Sequence, residues 1–235
     1  MEKITHAHYW SKNPTKTDVF VSAFVHRFYP VLQKNKKIKK VLDVACGNGL
    51  GVSLPLLRRG LKVHAFDHTT AAIKAAQKNA EKEGFTLLLK KSNMHKPFPY
   101  RTGFFDSTFC FQAIYHGKLA NIIFTLSEIK RVTKKGGYFF GTLLSYDMIK
   151  KEKNKFYMKV KLLDGKIIKS YHKQDKSEPH LFYYLNKNFE YMQPHYYFTK
   201  EELKSTLSQF FKDVKIRVVT RKNDLSVYWL VSGRV

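Results

Sequence analysis

An α/β fold built on a mostly parallel sheet is the architecture this chain predicts, and three observations predict it. The run Val41-Leu42-Asp43-Val44 reads as a buried strand and leads at once into the glycine-rich turn Ala45-Cys46-Gly47-Asn48-Gly49. A second strand, Lys62-Val63-His64-Ala65-Phe66-Asp67, ends on another acid 24 residues after the first (67 − 43). Around them, apolar runs of strand length alternate with segments of helical period, a pattern that specifies parallel strands joined by right-handed crossovers. A charge is rarely buried without a partner, so Asp43 inside an apolar run needs a reason to sit there.

The elements follow in order. Residues 17–33 carry Phe20, Phe24, Val25, Phe28 and Leu32 at the spacing of an amphipathic helix. Lys34, Lys36, Lys37, Lys39 and Lys40 then form a solvated loop before strand one. Residues 50–59 are the helix after the glycine turn, stopped by Gly60. Residues 69–83 form another, with Thr69 or Thr70 as N-cap and Gly84 as its stop. Strand three covers 85–91, a helix covers 119–132, and strand five covers 137–145. The alternation then breaks. Residues 158–168 read as a hairpin around Asp164-Gly165. An aromatic-dense segment follows, holding Phe182, Tyr183, Tyr184, Phe189, Tyr191, Tyr196, Tyr197 and Phe198. Thr199 is a good N-cap for a helix through Phe210, with Glu202 at the capping-box position, and residues 214–220 and 226–232 close the chain as a hairpin. Residues 1–145 and 198–235 are therefore expected to form one domain, and 146–197 an inserted cap. Long insertions of this kind are often lids or binding loops.

Four motifs in order give the chain a resemblance. Val41 to Gly49 matches hydrophobic-Asp-hydrophobic-x-x-Gly-x-Gly. The acid-tipped second strand and the turn Ser92-Asn93-Met94-His95-Lys96-Pro97-Phe98 come next. Residues 103–116, from Gly103-Phe104-Phe105-Asp106 to Ile114-Tyr115-His116, read as strand four, and Val132-Thr133-Lys134-Lys135-Gly136-Gly137 follows the next helix. Together they resemble the class I, Rossmann-like methyltransferases that use S-adenosylmethionine (SAM). The resemblance implies a seven-stranded sheet with helices on both faces and an antiparallel last strand. It also implies a SAM site. Asp43 organises the amino-acid moiety of the cofactor, partly through water, while Ala45, Gly47, Asn48 and Gly49 let backbone amides approach it. Asp67, with His68 beside it, accepts the ribose hydroxyls, and the Asn93–Met94 turn reads the adenine. Asparagine departs from the family's usual aspartate there and loses the charge assistance to that bond. Gln112, at the end of strand four, is a further cofactor residue or a simple strand cap. Tyr9 and Trp10 lie where related enzymes close an N-terminal segment over the cofactor, or else pack under the first helix.

Methyl transfer from a sulfonium needs alignment and exclusion of water, and a base only if the nucleophile arrives protonated. His116, just beyond strand four, is the candidate base, with Tyr115 beside it; the alternative is a structural histidine bonding a backbone carbonyl. No Asp/Asn-Pro-Pro-Tyr follows strand four, where Phe111-Gln112-Ala113-Ile114 stands, which disfavours methylation of exocyclic base amines. Nor does a Pro-Cys nucleophile appear there. Two cysteines, Cys46 and Cys110, make no disulfide framework, and the dispersed histidines suggest no metal site. The first residues lack the apolar core of a signal peptide and no stretch has the ~20 apolar residues of a membrane span, so a cytoplasmic protein is expected.

The net charge of +25 points two ways. A basic surface attracts polyanions. Yet 35 of the 43 cations are lysine, spread along the chain, and arginine is the better bidentate reader of phosphate. The expected function is methylation of a small molecule held under the cap. The alternatives are a tRNA-modifying methyltransferase of the wobble-uridine type, which the Tyr-Tyr-x-x-x-Glu-x-Leu flavour after His195 also resembles, and a SAM-binding partner subunit without turnover.

Overall fold

The computed structural model describes residues 19–34, 38–153, 155–161, 166–185, 191–220 and 226–235. Its elements are, in order, α1 (Val19–Lys34), β1 (Lys40–Val44), α2 (Ser53–Leu57), β2 (Lys62–Asp67), α3 (Thr70–Lys82), β3 (Leu88–Lys91) and β4 (Phe105–Cys110). They continue with α4 (Leu119–Val132), β5 (Thr133–Ser145), β6 (Lys150–Glu152), β7 (Lys155–Lys161), β8 (Ile167–Gln174) and β9 (Leu181–Leu185). The chain ends in β10 (Tyr191–Phe198), α5 (Lys200–Ser208), β11 (Lys212–Thr220) and β12 (Val227–Arg234). Seven of these strands make the main layer in the order β3-β2-β1-β4-β5-β12-β11. The first five run parallel, and β12 returns antiparallel against β5.

Alternating side chains divide the core between the two faces. Leu42, Val44, Phe66, Phe139, Leu143 and Val231 point to one face, where Ile122, Leu126 and Ile129 of α4 and Leu203 and Leu207 of α5 cover them. Val41, Val63, Ala65, Phe109 and Phe140 point to the other, under Val21, Phe24 and Val25 of α1, Leu54 and Leu56 of α2, and Ala76 and Ala80 of α3. Each fully buried Val, Leu, Ile or Phe among them contributes about 1.5–3 kcal/mol relative to exposure. Helix α1 sits close: a Cβ on Gly51 would come within 2.9 Å of Val21 Cγ1.

Several boundaries differ from the sequence-based reading, each for a local reason. The helix expected over 50–59 is only Ser53–Leu57. Gly49, at φ +76°, holds the chain out of helical conformation before it, and Gly60, at φ +74°, ends it. Strand three begins at Leu88, because the Phe85 amide turns back to the Ala80 carbonyl at the end of α3. Strand five begins four residues early, at Thr133, which pairs with Phe105 across a register shift. Thr69 caps α3 and Thr199 caps α5, as expected. Glu202 does not complete the expected box: its carboxylate accepts from the Tyr196 hydroxyl at 2.5 Å and lies 2.6 Å from His180 Nδ1.

The residues between β5 and α5 form a second sheet, antiparallel in the order β10-β9-β8-β7-β6. The expected hairpin is β7–β8, with Met158 paired to Ser170. Strand β10 links the two sheets. Strand β4 ends opposite Gly141, and β12 takes Leu144 on the far edge of β5. Tyr197 and Phe198 fill the edge that β4 vacates, pairing with Leu144 and Ser145.

Candidate functional site

The site is assembled where β1, β2, β3 and β4 end, the edge at which open α/β sheets bind ligands. Asp43 faces α2, is 2% exposed, and accepts a hydrogen bond from Ser53 Oγ at 2.6 Å. Burial pushes its carboxyl up to about 7; the Ser53 bond works against that shift, and the nearby Asp67 charge adds to it. Among the described residues no cation pairs with it. A buried carboxyl poised near neutrality is a place for a ligand's cation to settle.

Beyond β1 the chain takes three left-handed residues in five, Ala45 at φ +56°, Gly47 at φ +55° and Gly49 at φ +76°. Glycine accepts that conformation freely, whereas Ala45 holds it at a cost of about 1–3 kcal/mol, the kind of strain that gathers at functional sites. The loop is tied down at every step. The Cys46 amide donates to the Phe66 carbonyl at 3.0 Å, the Gly49 amide to the Cys46 carbonyl at 3.0 Å, and the Leu50 amide to Asn48 Oδ1 at 3.1 Å. Asn79 of α3 donates to the Asn48 carbonyl at 3.0 Å.

Asp67 braces the same loop from β2. Its Oδ2 accepts from the Gly47 amide at 3.1 Å, its Oδ1 from the Thr69 amide at 2.9 Å, and His68 Nδ1 lies 3.4 Å away. Burial pushes this carboxyl up, but the bonds from His68, Thr69 and Gly47 outweigh it and hold the group below the usual carboxylate range. Two neighbouring acids thus carry opposite shifts. Thr69 Oγ1 also donates to Oδ1, at 3.2 Å, so it is Oδ2, with its single bond from Gly47, that keeps acceptor capacity. Nearby, the Ser92 amide donates to the Asp67 carbonyl at 2.9 Å, which brings the Asn93 turn alongside. Asn93 Oδ1 accepts from the His95 amide at 2.8 Å, closing an Asx turn. Met94 is buried in the core on the α4 side, and its carbonyl accepts from Thr125 Oγ1 at 3.0 Å.

At the end of β4, Gln112 sits at φ +52° with its amide donating to Thr142 Oγ1 at 2.8 Å. Its side-chain Nε2 is buried without a hydrogen-bond partner among the described residues. A buried donor left unpaired costs about 1–3 kcal/mol, so an acceptor from a bound molecule is the natural complement. Cofactor and residues therefore fit. Asp43 is a buried carboxyl suited to a cation, the Gln112 side-chain amide is suited to an acceptor, and a left-handed glycine turn strained at Ala45 lies between the acids.

Tyr115 and His116 lie on the seam with the inserted sheet. The Tyr196 amide donates to the Tyr115 carbonyl at 2.9 Å, and the Gly117 amide to the Pro194 carbonyl at 3.0 Å. His116 bridges to His195 through the backbone, and their rings sit 4.6 Å apart, edge to face. The Tyr115 ring is 4.6 Å from His116, 5.8 Å from His195 and 6.3 Å from Tyr228. His95 closes the other side, its Nδ1 3.2 Å from Asn121 Nδ2 and its ring against Gly117. Burial, then the neighbouring His68, lowers the His95 imidazole below its ordinary value, with the His116 backbone pulling the other way.

The structure thus gathers Asp43, Ala45, Gly47, Asn48, Gly49, Asp67, His68, Asn93 and Gln112 at one edge, with Tyr115 and His116 on the adjoining seam. Met94 contributes a buried side chain, and Tyr9 and Trp10 lie outside the described residues. Sequence reasoning missed His195, Ser53, and Thr142. His195 lies 79 positions after His116 (195 − 116), so no spacing could pair them. Ser53 was within reach: a hydroxyl in the helix after a buried acid is a ready partner. Among the described residues no cluster of His, Cys, Asp and Glu could hold a metal ion, and no helix is long and apolar enough to cross a membrane.

A left-handed glycine turn between two acid-tipped parallel strands, in a sheet closed by an antiparallel strand, defines a nucleotide-cofactor fold of the methyltransferase kind. The family model described as "Methyltransferase domain" matches residues 35–209, and the chain belongs to that family, the class I methyltransferases whose methyl donor is SAM. Over 110 residues it is 29% identical to a ubiquinone biosynthesis O-methyltransferase of Actinobacillus pleuropneumoniae, covering 45% of this chain and 46% of that one. The chain thus spans about half the length of the curated relatives it matches. Among solved structures, a protein of Pyrococcus horikoshii OT3 superposes with a TM-score of 0.66 at 18% identity, covering 98% of this chain and 100% of that one. The Burkholderia thailandensis 1,6-didemethyltoxoflavin-N1-methyltransferase, solved with 1,6-didemethyltoxoflavin and S-adenosylhomocysteine bound, gives 0.62 at 15% identity, covering 92% and 80%.

Proposed function

We propose that the chain transfers the methyl group of SAM to a small-molecule acceptor held between the carboxyl edge of the sheet and the inserted β6–β10 sheet, so that residues 146–197 act as a substrate cap. The observation that carries this reading is the seam. Strand β10 is hydrogen-bonded to the loop after β4, and this brings His195 against His116 and Tyr115 beside the cofactor edge. The joint sets the rings of Tyr115, His116 and His195 between 4.6 and 5.8 Å from one another at that edge. The names of the relatives support it: one is a ubiquinone biosynthesis O-methyltransferase, and another was solved with 1,6-didemethyltoxoflavin bound.

SAM supplies a methyl carbon already activated by a sulfonium, so the protein's part is binding, alignment and, for a protonated acceptor, removal of one proton. Asp43, Gln112 and the 45–49 turn hold the cofactor, and Asp67 holds the ribose while bracing Gly47. Tyr115 and His195 orient the acceptor. His116 takes its proton at the imidazole.

SAM-consumption assays against a metabolite panel and against total tRNA, with and without ribonuclease, test the proposal. Turnover on a metabolite is the expected result; turnover on tRNA alone, lost after ribonuclease, overturns it. With a metabolite in hand, His116→Asn should lower kcat by about 10²–10⁴-fold if the acceptor is protonated. S-adenosylhomocysteine affinity should stay at its parent value.

A further inference from the structure

The inserted sheet has a second face, and it is built differently from the one turned to the protein. Along β7 and β8, Phe156, Met158 and His172 turn inward, with Met158 and Phe156 packed in the cluster of Phe182 and Tyr197 and the His172 ring edge-on to Tyr197. Lys155, Tyr157 and Lys159 of β7 alternate with them onto the outer face, joined there by Lys169, Tyr171 and Lys173 of β8. The register sets Lys159 directly opposite Lys169 and Tyr157 directly opposite Tyr171. Lys155 and Lys173 adjoin the next pair, Phe156 and His172.

Like charges directly opposite one another destabilise a sheet. Here they flank two aromatic rings whose centroids are 6.3 Å apart, and Tyr171 is 40% exposed. The ammonium of Lys169 lies 4.7 Å from the Tyr157 ring centre, and that of Lys155 lies 5.9 Å from the Tyr171 ring centre. Two acids near the face, both among the described residues, have partners. Lys169 reaches Glu152, while Asp175 is turned into its own loop, accepting from Ser177 and Tyr183. From position 150 to 176 the sequence has ten lysines against three acids.

Lysines interleaved with an exposed Tyr171 and a half-buried Tyr157 offer two things together, neutralisation of phosphates and flat surfaces for bases. A duplex keeps its base faces stacked away, and an acidic protein surface or a lipid headgroup layer has none to offer. We propose that the outer face of β7 and β8 binds single-stranded nucleic acid, phosphates against Lys155, Lys159, Lys169 and Lys173 and bases stacked on Tyr157 and Tyr171. The proposal goes beyond the acceptor reading and is independent of it, since this face is turned away from the His116 seam.

The test is fluorescence anisotropy of a labelled short oligouridine titrated with the full chain at several salt concentrations, with neither SAM nor acceptor present. Binding should weaken with salt, and the combined Lys155→Gln, Lys159→Gln and Lys173→Gln variant should flatten the slope by about 0.7 for each phosphate no longer neutralised. Tyr171→Ala should weaken binding by about tenfold at fixed salt, while Tyr171→Phe, which keeps the stacking surface, should bind as the parent does. Thermal melting followed by circular dichroism confirms that each variant is folded; should Tyr171→Ala fail to fold, Tyr157→Ala serves in its place. Four results would each overturn the proposal: absence of binding at low salt, a preference for duplex, a preference for vesicles of anionic lipid, or equal affinity for base-free polyphosphate with the tyrosine variants neutral. Because no methyl donor is present, none of these results bears on the acceptor reading.

Discussion

Asp43 and Asp67 end neighbouring strands and titrate in opposite directions, because one carboxyl is buried beside a single hydroxyl and the other collects several donors. Linkage turns that difference into a pH dependence. The folded value for Asp43, about 7, lies above the ordinary 3.8, so between them the unfolded chain has released a proton that the fold retains. Stability therefore falls as pH rises through that window. Asp43→Asn should remove this slope, and its thermal midpoint should gain on the parent's from pH 4 to pH 7. A constant difference across that range would contradict the assignment. Asp67 has the opposite sign: its depressed value contributes stability above the unfolded carboxylate's value, lost as pH falls through the folded one. Asp67→Ala should also weaken S-adenosylhomocysteine binding by about 1.5–3 kcal/mol, the scale of hydrogen bonds to a charged acceptor. Calorimetry reads that directly, and unaltered affinity in a folded variant would place the ribose elsewhere.

At the scale of elements, two contacts decide how pieces meet. Helix α1 reaches the sheet over Gly51, where a Cβ would meet Val21 Cγ1 at 2.9 Å. Gly51→Ala should cost about 1–3 kcal/mol through overpacking, and Val21→Ala in the same chain should recover part of it, as chemical denaturation would show. The inserted sheet is pinned to α5 by Glu202, which serves both Tyr196 and His180. Glu202→Ala strands both groups and should cost about 1–3 kcal/mol, with faster amide exchange in β9 and β10. These elements also mark what could be read from the chain. Helix α4 and the caps at Thr69 and Thr199 were legible, because their signals are local. The role of Glu202 was not: its sequence position suggested a capping box, and tertiary donors claimed the carboxylate first. The five-stranded insertion was legible only at its β7–β8 hairpin, since the pairing of β10 with the loop after β4 joins segments about eighty residues apart.

On the scale of the whole molecule, the two buried acids and the left-handed glycine turn gather at one edge of a parallel sheet, and a second, antiparallel sheet is joined to it through β10. That edge was legible because Asp43 and Asp67 come at the ends of β1 and β2 and Gly47 and Gly49 in the turn between, where the left-handed backbone demands glycine. The meeting of His116 with His195 was not legible, because only the fold brings the two together. The +25 charge belongs to this scale too, and four of its lysines, Lys155, Lys159, Lys169 and Lys173, share the outer face of β7 and β8. The measurement that bears most directly on the central claim is a calorimetric titration of the full chain with S-adenosylhomocysteine and, separately, with NAD. Micromolar-range binding of S-adenosylhomocysteine, weakened by Asp67→Ala, with no detectable binding of NAD, is the predicted result. NAD binding more tightly than S-adenosylhomocysteine would contradict it.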